Sequence, residues 1–194
     1  MYFWLRLIGY FLTTWRRKPL DVPFGTSCLH YRAWPTDIDA SMHMNNARYS
    51  VLADIGRFDL IFRMGIAKVV MREKYIPVLL FASTRYRREI RNFETFKVET
   101  RILSWDNTNL FIEHKFTLTS GKYKGQVSAL MVVKAGLYNR KEKAFIEYDK
   151  LIDRMGIDAK SPALPEAVKT LLAADKAFQD ATKDNQIDQQ KLSA

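Results

Sequence analysis

The chain has a single cysteine, Cys28, which excludes an internal disulfide framework and suits a reducing compartment. No His, Asn or Asp adjoins it, so it reads as a packed thiol rather than a nucleophile. Histidine is almost as scarce. His30, His43 and His114 lack ligand-like spacing, so no metal site is expected, and His30 and His114 read as strand residues without a special role. No apolar run reaches the ~20 residues that cross a bilayer. A secretory signal is a poor fit, because a cationic n-region and a small-residue cleavage site are both missing. Acidic residues are in deficit, 21 against 31 Lys and Arg, which leaves a net charge of +10. That balance favours nucleic acid, anionic lipid, or a phosphorylated small molecule or carrier. The basic residues are spread out and no recognised nucleic-acid module is present, which argues against the first of these. With no internal repeat and no linker, 194 residues at 47% apolar content fit one domain with a real core.

What is present begins with MYFWLRLIGYFLTTWRRK. Met1, Trp4, Leu5, Ile8, Phe11, Leu12 and Trp15 fall at helical spacing and form one apolar stripe, while Arg6, Thr13 and Arg17 fall on the other side. Arg16, Arg17 and Lys18 close the segment. Two readings fit: an in-plane anchor on an anionic membrane surface, or a helix docked on its own domain or on a partner subunit. The expected location is the cytoplasm, with the anchor reading placing the chain at the inner face of a membrane.

The rest of the chain reads as α+β. After Pro19 and Pro23 comes a strand over Gly25 to Pro35, then a long apolar helix from Asn45 to Gly65. Four strands follow, Val78–Ile90, Phe96–Trp105, Leu110–Thr119 and Lys124–Asn139, expected as an antiparallel meander. Such a sheet buries a single apolar helix by wrapping around it. A short helix is expected at Tyr148 to Met155 and another after Pro165, with a polar, disordered tail beyond Ala181. The units are residues 1–18 (amphipathic helix), 19–160 (main domain) and 161–194 (C-terminal helix and tail). The run TRYRREIR places Arg85, Arg87 and Arg91 on one side of a strand, either as a solvated face or as a strip that contacts phosphates.

The segment WPTDIDASMHMNNARY, Trp34 to Tyr49, gathers Asp37, Asp39, His43, Asn45 and Asn46 ahead of the apolar helix. On an extended chain Asp37 and Asp39 share a face. Both aspartates fit turn formation, and Asn45 or Asn46 fits an N-cap. The same residues also fit chemistry. A helix N-terminus offers free N–H groups and the positive end of the dipole, which favour an oxyanion formed at a thioester carbonyl. Asp39 could serve there as general base or as nucleophile, with His43 orienting it or polarising the carbonyl.

The string D-x-D-x-x-x-H-M-N-N-x-x-Y, filled by Asp37, Asp39, His43, Met44, Asn45, Asn46 and Tyr49, resembles the signature of hotdog-fold thioesterases. The nearest likeness is to thioesterase-superfamily proteins of the member-six type and their bacterial relatives, over roughly Ser27 to Tyr138. The resemblance implies a hotdog fold, a long antiparallel sheet wrapped around one central helix, and hydrolysis of an acyl-CoA or acyl-carrier-protein thioester without a cofactor. By likeness to the hydroxybenzoyl-CoA type, Asp39 would be the catalytic carboxylate, with the oxyanion hole in the amides around Asn45 and Asn46. Plant acyl-carrier thioesterases share a loop in which an Asn and a His assist the Asp; His43 fits that scheme, but Ser41 stands in place of the Asn. Arg85, Arg87 and Tyr49 are the expected substrate contacts. The family also implies a homodimer or a dimer of dimers, with sheets joined edge to edge and acyl pockets at the subunit interface. The alternative is a membrane-associated acyl-binding or scaffold protein with little turnover. A hydratase is disfavoured, because no second His/Asp constellation appears on another segment.

Overall fold

The structure, a computed structural model, describes residues 2–14 and 17–192. In chain order the elements are α1 (Tyr2–Thr14), β1 (Ser27–Arg32), a 3₁₀ turn (Pro35–Asp37), α2 (Asn46–Arg63) and α3 (Ile66–Arg72). Strands β2 (Ile76–Tyr86), β3 (Thr95–Trp105), β4 (Leu110–Leu118), β5 (Val127–Asn139) and β6 (Ala144–Phe145) follow, and then α4 (Tyr148–Arg154) and α5 (Glu166–Leu192).

The sheet is antiparallel with order β1-β3-β4-β5-β2, and β6 pairs with β5. The expected four-strand meander is therefore corrected: β3, β4 and β5 meander, while β2 lies at the far edge beside β5. The β2–β3 connection contains no tight turn. It crosses the end of the sheet and is held there by the amides of Arg87 and Arg88 on the carbonyl of Ser128 and that of Phe93 on the carbonyl of Ala33. The TRYRREIR run follows the same correction, since β2 ends at Tyr86 and Arg87 to Arg91 belong to the crossing.

Helix α2 lies in the concave face. Asn45 caps it by accepting the Ala47 amide at 2.9 Å, and Gly65, at φ +74°, ends its run where α3 begins. Tyr49, Leu52, Ala53, Ile55 and Leu60 are buried against Val98, Phe116, Met131 and Val133 of the sheet. The two layers approach closely at Gly56, where a Cβ would stand 2.4 Å from Thr100 Oγ1. That hydroxyl cannot swing away without giving up its 2.9 Å bond to His114 Nδ1. Gly56→Ala is therefore expected to destabilise by ~1–3 kcal/mol through overpacking, read as a lower denaturation midpoint with an unchanged slope.

Helix α1 docks on its own domain, but not through the stripe that the spacing picks out. Leu7 and Tyr10 are buried and Arg6 turns inward, whereas Trp4, Ile8, Phe11 and Leu12 are 63%, 54%, 43% and 71% exposed. The ring of Phe11 meets Phe62 of α2 at 5.8 Å. Met1, Trp15, Arg16 and the side chain of Leu5 lie outside the described residues. No helix among the described residues is long and apolar enough to cross a membrane.

On the convex face α5 buries Val168 and Leu171 against Phe111 and Val132, and Lys134 pairs with Asp175 at 2.8 Å. This helix runs on to Leu192, past the point where a disordered tail was expected. The reason lies in composition, since the polar residues there include the helix formers Lys and Gln.

Candidate active site

The loop between β1 and α2 is folded on itself by backbone bonds. Asp39 N–H donates to the carbonyl of His43, Met42 N–H donates back to that of Asp39, and Asn45 N–H donates to that of Asp37. Met42 takes the left-handed conformation that closes this turn, at φ 63°. The two aspartates do not share a face, because the 3₁₀ turn replaces the extended chain. Asp37 is buried: its Oδ2 accepts the Trp34 amide at 2.8 Å and Arg6 of α1 at 2.6 Å. It is an anchor for the loop. Asp39 stays at the surface, its side chain 27% exposed, with His43 Nδ1 3.8 Å from Oδ1. The Ser41 amide donates to Asp39 Oδ1 at 2.9 Å, so a backbone N–H supports the carboxylate where the plant-type pattern has an Asn side chain.

Donors at the start of α2 can be counted. Met44 N–H goes to the carbonyl of Ile90, Asn45 N–H to Asp37, Ala47 N–H to the Asn45 side chain and Arg48 N–H to the Asn45 carbonyl. Among the described residues, the Asn46 amide alone of this series takes no partner. It sits at the positive end of an 18-residue helix.

The other sequence-selected residues are placed differently. Tyr49 is buried behind the first turn, its hydroxyl 3.0 Å from Ser128 Oγ and its ring against Tyr86 and Phe116. Burial pushes its pKa up to about 12, opposed by the bond to Ser128. Arg85 is exposed on the edge strand and alternates with Tyr86, so the two point to opposite faces. Arg87 is exposed in the crossing segment, one turn of chain from Ile90, which carries the Met44 amide.

A separate cavity of about 340 Å³ opens beside the C-terminal half of α2. Its walls are apolar, with Phe58, Ile61, Val78, Leu79 and Trp105 among them, and Asp54 and Arg57 supply the charge. Arg57 pairs with Asp54 and donates to Nε2 of the fully buried His114 at 3.1 Å. Asp39, His43, Asn45 and Asn46 do not line this cavity. By the ~1.5 Å rise of a helix, Asp54 to Ile61 lie ~12–22 Å along α2 from its start.

The model of the thioesterase-like superfamily matches residues 33–172. The chain belongs to the thioesterase-like superfamily. The Xenopus laevis protein THEM6 is 32% identical over 135 residues, 69% of this chain; the chain spans only 61% of that relative's length. Among solved structures, the probable thioesterase YbaW from Escherichia coli superposes with a TM-score of 0.60 at 16% identity, covering 66% of this chain and 95% of that one. The 4-hydroxybenzoyl-CoA thioesterase of a Pseudomonas species gives 0.59 at 14%, covering 66% and 97%. These neighbours establish the hotdog fold of this superfamily member.

Sequence reasoning missed the Asp54–Arg57–His114–Thr100 group of this domain. His114 does have a role: it holds Arg57 from behind. Since Arg57 donates to Nε2, the Nδ1 proton goes to Thr100, which leaves a neutral imidazole. Burial, aided by the Arg57 charge, holds its pKa well below the usual 6.5. The unfolded chain then binds a proton below pH 6.5 that the folded one refuses, so stability falls as pH drops through that value. The loss is seen as a melting temperature that falls below about pH 6.5 and that His114→Gln flattens.

Proposed function

We propose that the chain hydrolyses acyl thioesters of coenzyme A or of an acyl carrier protein, with Asp39 as general base or nucleophile. The observation that carries this reading is a partly exposed carboxylate on the loop that leads into α2, whose first turn has one amide without a partner among the described residues. In the base route Asp39 takes a proton from water as the oxygen attacks the carbonyl carbon. The carbonyl oxygen gains the negative charge, which the Asn46 amide and the helix dipole stabilise. Collapse expels the thiolate, which leaves as thiol once protonated. In the nucleophile route the Asp39 carboxylate itself attacks, and water then splits the mixed anhydride. His43, 3.8 Å away, is suited to orient Asp39 or to supply the proton.

The working unit is a homodimer joined through β2. This strand is an uncapped edge, with Leu79 51% exposed and Tyr86 45% exposed. The cavity lies at its start, by Val78 and Leu79, and the loop lies near its end, where Tyr86 packs on Tyr49. Antiparallel pairing of two β2 strands would set the Asp39 loop of one copy over the cavity of the other. A back-to-back dimer of dimers is disfavoured, since α5 occupies the convex face. Arg87, Arg88 and Arg91 in the crossing segment suit the phosphates of either carrier. Arg17 and Lys18, which follow α1 in the chain, suit an anionic membrane surface.

One observation favours acyl binding without turnover: a single chain keeps its cavity and Asp39 apart. Thiol release measured over short, medium, long-chain and aromatic acyl-CoAs separates the two. Turnover concentrated in one class is expected; binding without release on CoA and carrier-protein substrates alike would favour the scaffold.

A further inference from the structure

The exposed face of α1 does not end at α1. Phe11 meets Phe62 of α2 at 5.8 Å, Phe62 is 38% exposed, and one turn earlier Phe58 is 39% exposed. Phe58 also forms part of the cavity wall. At another part of the cavity wall, the ring of Phe24, 56% exposed, lies 6.4 Å from that of the wall residue Trp105. Exposed apolar side chains thus run from α1 to the cavity rim. A monomeric soluble surface seldom carries so many large apolar groups together without a partner.

We infer that this surface faces lipid, and that a long-chain acyl ligand passes between the bilayer and the cavity along Phe62 and Phe58 without crossing bulk water. The inference rests on the membrane association proposed above and adds the route by which the cavity is filled. Charge complementarity points to an anionic bilayer: α1 has no acidic residue in its first turn, and Arg17 and Lys18 follow its end. Arg63 fixes that basic segment to α2 by donating to the Lys18 carbonyl at 2.8 Å. Tryptophan and phenylalanine suit the interfacial depth at which such a helix lies. Each methylene moved into water carries a penalty, so a route that stays in contact with lipid gains most for long chains.

The test uses the full chain, vesicles of phosphatidylcholine and phosphatidylglycerol, and a fluorescent long-chain fatty acid loaded in the vesicles. Sedimentation reads binding, and stopped-flow fluorescence reads transfer into the protein. For the wild type we expect co-sedimentation and a transfer rate that rises with vesicle concentration, as contact-limited delivery requires. Phe58→Asp/Phe62→Asp should still sediment through α1 yet transfer about tenfold more slowly, with no dependence on vesicle concentration. Phe62→Asp alone, outside the cavity wall, should keep the affinity for fatty acid in buffer and still slow the transfer. Trp4→Ser/Ile8→Ser/Leu12→Ser should lose sedimentation and rapid transfer together. A bound wild type whose transfer ignores vesicle concentration, or a double variant that transfers at the wild-type rate, overturns the route and leaves membrane association standing. A wild type that does not sediment overturns both, and one that takes up no fatty acid from any donor overturns the route.

Discussion

Asp39→Asn is expected to lower turnover of the preferred acyl thioester by ~10²–10⁴-fold, the usual contribution of a positioned base. The substitution keeps an oxygen able to accept the Ser41 amide at 2.9 Å and so preserves the turn. What it removes is the capacity to take a proton or to form an anhydride. Stability should stay within ~0.5 kcal/mol of wild type, because the side chain is 27% exposed and supports no buried group. The informative readout is kcat beside a denaturation curve. A variant that folds normally and turns over at the wild-type rate would remove Asp39 from the mechanism. Its neighbour His43 should matter less, since 3.8 Å is a loose contact.

The second large effect concerns stability. Asp37→Ala is expected to cost ~3–5 kcal/mol, the range for breaking a buried ion pair by removing one partner. Asp37 is 1% exposed, and the Arg6 side chain facing it is 13% exposed. The change would take the carboxylate away from Arg6, which keeps its 3.1 Å bond to the Arg32 carbonyl, and from Arg48, and would free the Trp34 amide. Because Arg6 also lies over the Tyr31 ring at 5.4 Å, α1 should loosen from β1. Proteolysis should then cut near residues 17–24 sooner than in wild type. Arg6→Ala alone should cost less, and combining the two should be far from additive if the pair acts as one unit. Additive losses would mean that Asp37 anchors the loop without α1.

The sequence was most legible where function and structure are local. The Asn45 cap, the stop at Gly65 and the apolar spacing of α2 each depend on neighbours within a turn or two of chain. They are read correctly for that reason. The site loop was legible because its residue types are unusual ahead of an apolar helix, though only the fold separates buried Asp37 from Asp39. What escaped depends on distant partners. Whether α1 turns its stripe inward or outward is decided by Asp37, 31 residues away from Arg6. His114 and Arg57 are 57 residues apart and meet only because β4 passes under α2. The position of β2 at the far edge is set by pairing with β5, which no local pattern encodes. Gly56 was the available hint, since a glycine in the middle of an apolar helix marks a close approach.

The claim that ties loop, cavity and edge strand together is that Asp39 of one copy acts on an acyl chain held in the partner's cavity. Mixing subunits tests it most directly. Asp39→Asn supplies an open cavity without the base, and Ile61→Trp, which fills the cavity beside α2, supplies the base without the space. Each homodimer should be inactive. After the two are unfolded and refolded together in equal amounts, thiol release should return to about a quarter of the wild-type rate, because half the dimers are mixed and each has one complete site. No recovery from a mixture that demonstrably contains mixed dimers would contradict the account and place cavity and carboxylate of a working site within one chain.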